Sequence, residues 1–206
     1  MKRSGSDLLM FVACFFIVWT IWVIVAWKME LVPEPVRPWF RTAILTLAAA
    51  VWVRWQKPRT PFSWLGLKPV NATIAIVAAS ALLGILAWNA VRVVATGSSL
   101  GQINQIGGLA LISGLVGVFV EELLFRGAMQ TSLSEIARPW FAILIAAVLF
   151  LLIHVPGWVL LKLPIDAQIV GSVFAIGVIC GVLRHLTQSI WPPIAAHWAN
   201  NLGALF

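Results

Sequence analysis

Charge is what this sequence has least of. Of its 206 residues only 10% are Asp, Glu, Lys or Arg, while 61% are hydrophobic, and the mean hydropathy is +0.98. A soluble domain carries about 25% charged and about 45–50% apolar residues, so this composition excludes that class and points to helices in lipid. Cysteine is nearly absent too. Cys14 and Cys180 each stand alone in an apolar stretch, with no second Cys or His at metal-ligand spacing, and are read as small core residues. There is no internal repeat, low-complexity stretch or second domain. Tyrosine is missing altogether, whereas there are twelve Trp. Trp suits the headgroup boundary, where an apolar ring keeps its N–H wet.

Basic residues outnumber acidic ones and give a net charge of +7. They are scattered through short loops and not gathered on one face, which favours anionic lipid headgroups over nucleic acid as the partner. The apolar run from Leu8 to Trp27 follows Met-Lys-Arg like a secretory signal. At about 20 residues it is long enough to cross a bilayer, and no small-x-small cleavage site follows, so it is expected to stay as a first helix. Further apolar segments at 40–53, 71–95, 107–133, 139–155, 167–184 and 191–206 predict an all-α, polytopic transmembrane bundle of about seven spans. The chain is expected to divide into N-terminal transmembrane helices with a basic, Pro-broken loop (1–70) and a transmembrane core (71–206).

With a cytoplasmic N-terminus, nine basic residues fall on the inside (Lys2, Arg3, Arg54, Lys57, Arg59, Lys68, Arg126, Arg138 and Arg184). Five fall outside (Lys28, Arg37, Arg41, Arg92 and Lys162). That bias obeys the positive-inside rule and predicts an integral protein of the cell (inner or plasma) membrane with its N-terminus in the cytoplasm.

A charged side chain in hydrocarbon costs about 2.5–3.5 kcal/mol even on the lenient insertion scale, so each one there needs a reason. Asp7, Glu30, Glu34, Glu135 and Asp166 lie in or beside predicted loops, as does His185. Glu121 and Glu122 do not: they follow Gly-Leu-Val-Gly-Val-Phe-Val, in the most apolar part of the chain. His154 and His197 also fall in apolar helices, and Asn201 follows His197 by four residues. Residues four apart share a helix face, so Glu122 should pair with Arg126 while Glu121, about 100° away, has no sequence-local cation. An unpaired buried carboxylate has a raised proton affinity, which makes Glu121 the candidate base and Glu122 the structural partner of Arg126. His197 and Asn201 share a face and both can donate to a developing oxyanion. His154, with Phe150 one turn earlier, is placed to hold a water jointly with Glu121. Helix rise puts Glu121 and His154 at similar depths, about 18–24 Å above their helix ends, whereas His197 lies about 6 Å past Pro193. The last helix must therefore begin below the membrane surface or tilt strongly. Ala110/Gly114, Ser113/Gly117 and Gly177/Gly181 are small-x-x-x-small pairs, read as sites of close helix packing.

Taken together, Glu121-Glu122-Leu-Leu-Phe-Arg126, Phe150-Leu-Leu-Ile-His154 and His197-Trp-Ala-Asn-Asn201 match in order the patterns Glu-Glu-x-x-x-Arg, Phe-x-x-x-His and His-x-x-x-Asn. In this the sequence resembles the CPBP family of membrane proteins, the CAAX proteases and bacteriocin-processing enzymes also called the Abi family, over 107–206. The resemblance implies an intramembrane endopeptidase without a metal cofactor. In it Glu121 and His154 activate a water, His197 and Asn201 stabilise the oxyanion, and Glu122, Arg126 and Phe150 support the site. It further implies a substrate that is a peptide or a lipidated, membrane-tethered protein tail, of the CAAX type or the bacteriocin type. Three other readings remain. Two His and a Glu also make a catalytic zinc set, here His154, His197 and Glu121, although no His-Glu-x-x-His motif is present. A silent immunity or scaffold protein is the second, and a proton-coupled carrier, which would more often show paired inverted repeats, is the third.

Overall fold

The computed structural model describes residues 5–28, 31–33, 36–96, 108–160, 162–163 and 165–203. Lys2, Arg3, Glu30 and Glu34, the expected start of a span at 107 and the expected end at 204–206 lie outside them. Every regular element among the described residues is helical: α1 (Gly5–Trp27), α2 (Arg37–Gln56), α3 (Pro61–Trp64), α4 (Ala72–Thr96), α5 (Gly108–Glu122), a π-helical segment (Leu123–Met129), α6 (Gln130–Ser134), α7 (Pro139–Leu160), α8 (Ala167–Thr187) and α9 (Trp191–Gly203). Each of the seven expected segments corresponds to a helix, with α5, the π segment and α6 forming one continuous run. The stretches Ala72–Ala95, Pro139–Leu160 and Ala167–Thr187 are long and apolar enough to cross a membrane by themselves.

Helix ends follow local chemistry. Pro38 opens α2, where its missing N–H costs nothing, and Lys57 closes it in the left-handed conformation (φ 47°). Asp166 caps α8 by accepting the Ile169 N–H at 2.8 Å, and Gln188 (φ 53°) ends it. His185 thus belongs to the last turn of α8 and not to a loop.

Helix α7 runs five residues past its expected end, through Pro156 to Leu160. Proline cannot donate to the carbonyl four residues back, which leaves Leu152 O without its helical partner. The indole of Trp19 on α1 donates to that oxygen at 2.8 Å. A broken backbone bond in a membrane helix is tolerated when a neighbour supplies the missing partner, and here α1 does so.

The connector after α2 is folded into the bundle. Ile190 N–H donates to Gly66 O (3.1 Å), Trp191 Nε1 to Lys68 O (2.9 Å) and Arg184 Nη2 to Trp64 O (3.1 Å). Gly66 has φ 82°, a conformation that favours glycine, and a Cβ there would also press on the Arg184 guanidinium, 2.9 Å away. Beneath this cover Ser189 and Ile190 are fully buried, and Pro192 and Pro193 are buried as well. Helix α9 therefore starts inside the protein, which accounts for the depth of His197.

Of the small-residue pairs, Gly177 and Gly181 allow α7 and α8 to touch: a Cβ at Gly177 would lie 3.1 Å from Ala147 Cβ, and one at Gly181 2.8 Å from Ile143 Cγ2. Gly114 and Gly117, expected to pack likewise, face open space. Their spacing alone did not distinguish an interface from a free face.

Candidate active site

Charged side chains sit inside the apolar core. The run from Leu124 to Gln130 is buried at every position, and this wall is the π-helical segment with the first residue of α6. In it Gln130 N–H reaches back five residues to Phe125 O. Single π-helical turns inside α-helices recur at functional sites. The expected uninterrupted helix over 107–133 is thus replaced, directly after the two glutamates, by a wider turn.

Glu122 and Arg126 are both fully buried and pair at 3.0 Å, as their spacing predicts. Arg126 spends its second nitrogen on Gly177 O (3.0 Å), which the glycine-lined approach of α8 brings within reach. The guanidinium also lies 4.4 Å from the centre of the Phe150 ring, a cation–π contact inside the core. Glu122 has a further partner that spacing did not reveal. Its Oε1 also accepts from His197 Nδ1 at 2.8 Å, so one carboxylate oxygen holds α9 as well as its own helix. Phe150 is the hub of an aromatic cluster, edge-on to Phe125, His154 and His197 at ring separations of 5.3, 4.7 and 5.3 Å.

Glu121 is where the structure departs most from expectation. It is buried, but it is not without a cation: Arg41 of α2 reaches Oε1 at 2.8 Å. The same Arg41 nitrogen lies 3.5 Å from His154 Nε2, so the guanidinium stands between the two side chains. Arg41 was counted among the outward loop charges. Its pairing across 80 positions of sequence leaves no local signal, and only the cost of two isolated charges in one bundle hints at it. The other oxygen, Glu121 Oε2, faces His197 Nε2 at 3.9 Å.

The ring nitrogens can be assigned from their partners. His154 Nδ1 lies 2.7 Å from Phe150 O, a pure acceptor, so it carries the proton and Nε2 carries the lone pair. His197 Nδ1 likewise donates to the Glu122 carboxylate, which leaves its Nε2 turned toward Glu121. Glu121, Glu122, Arg126, His154, His197 and Phe150 thus gather at one place. Asn201 does not join their hydrogen bonds; it is exposed one turn beyond His197 on α9. The zinc reading would draw on His154, His197 and Glu121. Among the described residues no three His, Cys, Asp or Glu side chains converge as metal ligands would, and a guanidinium separates Glu121 Oε1 from His154 Nε2.

The site thus sets a buried carboxylate and two histidines among lipid-length helices. Residues 103–203 match the family model described as type II CAAX prenyl endopeptidase Rce1-like, and over this part the chain is similar to the CPBP/CAAX proteases. With its apolar helices, the match makes it an integral membrane protein. No curated protein matches the chain. The matched segment contains every residue of the cluster except Arg41.

Proposed function

We propose that the protein is a glutamate-dependent intramembrane endopeptidase acting on a membrane-associated peptide or lipidated protein tail. Glu121 and His154 Nε2 together take a proton from a water, whose oxygen attacks the scissile carbonyl carbon. The oxyanion that forms is stabilised by His197, with Asn201 assisting once substrate is bound. Collapse of the tetrahedral species breaks the C–N bond, and the proton returns to the leaving amine. Glu122 and Arg126 hold His197 and α8 in register, and Phe150 fixes the ring planes.

The observation that supports this reading is the gathering of Glu121, His197 and His154 from three helices within the family-matched segment: His197 Nε2 stands 3.9 Å from Glu121 Oε2, and the Arg41 nitrogen that holds Glu121 Oε1 lies 3.5 Å from His154 Nε2. A CAAX-type or bacteriocin-type tail is the natural substrate class for that family. The chain is proposed to lie in the cell membrane with its N-terminus cytoplasmic. With Arg126, Arg184 and Arg41 set aside because they are buried or turned inward, the remaining basic residues of the sequence still favour that side, seven to four.

The test compares peptide termini in membranes carrying the native protein with membranes carrying Glu121→Gln at matched abundance. New C-termini or released peptides found only with the native protein are the expected result. Loss of a general base lowers the rate by about 10²–10⁴-fold. Identical termini in both membranes would shift the assignment to an immunity or scaffold role. Activity abolished by a chelator and restored by zinc would replace the metal-free mechanism.

A further inference from the structure

We infer that Arg41 completes the active site from outside the family-matched segment, as the positioning residue that clamps Glu121 by one oxygen and leaves the other to meet water. This inference rests on the proposed endopeptidase reading and adds to it a residue that neither the motifs nor the matched segment contains.

Charge balance is the first argument. Two buried carboxylates stand side by side on one helix, and buried charges persist only when they are paired. Glu122 has Arg126; the remaining guanidinium at the site is Arg41, 2.8 Å from Glu121. The groups facing Glu121 are Arg41 from α2, His154 from α7, His197 from α9, and Glu122 and Arg126 from its own helical run. Neither histidine replaces the arginine. The lone pair of His154 Nε2 faces the same guanidinium nitrogen, and His197 stands 3.9 Å away, beyond a direct hydrogen bond.

Orientation is the second. A carboxylate held at Oε1 by a charge-assisted bond has its plane fixed, so Oε2 points at the gap in front of His197 Nε2. Without that clamp the side chain is free to rotate. Arg41 is itself held from the far side, with its guanidinium carbon 5.9 Å from the centre of the Trp22 ring of α1. At one-third exposure it forms the edge of the site, whereas the Glu121 side chain is 7% exposed. The N-terminal helices thus contribute chemistry and not only bulk.

The experiment uses the full-length protein in detergent and the peptide identified by the membrane comparison. Arg41→Gln should lower kcat by about 10–100-fold with KM within about twofold, because a reacting group is displaced while peptide contacts stay. Arg41→Lys, which keeps the charge, should recover most of the loss. A second readout needs no substrate: the midpoint of thermal unfolding for Arg41→Gln, Glu121→Gln and the double variant. Removing either charge strands the other, so the double variant should melt above the Arg41→Gln protein, a non-additive cycle. Native kcat in Arg41→Gln, a loss confined to KM, or strictly additive melting shifts would overturn the clamp. A rise in kcat would also overturn it and make Arg41 a bar to substrate. If Glu121→Gln itself cleaves normally, the protease mechanism fails; if it is dead while Arg41→Gln cleaves normally, only the clamp fails.

Discussion

Helices α4 and α7 are both apolar enough to cross a membrane, yet they live in different solvents. Only 11% of the apolar window of α4 is buried inside the protein, against 39% of that of α7. Lipid is as apolar as a protein core, so hydropathy marks both helices as spans and cannot rank them. Their polar residues do. On α4, Asn89 and Arg92 reach α9 and give hydrogen bonds to Ala199 O (3.4 Å) and Gly203 O (2.8 Å), satisfying carbonyls at the end of a short helix. On α7, His154 turns a lone pair toward Arg41, and the helix carries the aromatic hub at Phe150. One helix tends a neighbour's backbone; the other presents chemistry.

The sharpest way to break this contrast is Glu122→Ala. The substitution strands Arg126 and removes the acceptor for His197 Nδ1, so a loss of about 3–5 kcal/mol is expected, read as reduced yield and a lower melting midpoint. Full stability and full activity in that variant would show that the buried network does not organise the site. A smaller effect separates core from free face. Gly181→Ala would press a methyl against Ile143 and should cost about 1–3 kcal/mol. Gly114→Ala meets nothing within 4 Å and should be neutral or gain up to about 1 kcal/mol from helix propensity. Equal effects in the two melts would erase the distinction. The smallest effect concerns the join between α1 and α7. Trp19→Phe deletes the donor to Leu152 O and should cost about 1 kcal/mol, seen as faster hydrogen exchange around Leu152.

Much of this architecture was legible in the sequence because it obeys short-range rules. Seven apolar stretches became helices, and the four-residue spacing of Glu122 and Arg126 became a 3.0 Å pair. What escaped depends on contacts between distant segments. Arg41 pairs with Glu121 across 80 positions of sequence, and His197 reaches Glu122 because α9 starts inside the protein, under the connector. The π-helical turn after Glu122 has no signature in residue pattern, since the same side chains suit an α-helix. Asn201 stands on the predicted face of its helix but outside the hydrogen-bonded cluster, because a shared face fixes direction and not reach.

The Trp19–Leu152 bond has a meaning in time as well as in space. The two residues are 133 positions apart, so α1 is made and inserted long before α7 exists. Until they meet, α7 carries a bare carbonyl beside Pro156, worth several kcal/mol in hydrocarbon. The early helix therefore serves as a waiting partner that the later one must find before its own backbone is complete. Assembly of the family-matched half is thus linked to correct insertion of the other half, and a chain whose α1 goes astray announces the error through an unfinished α7.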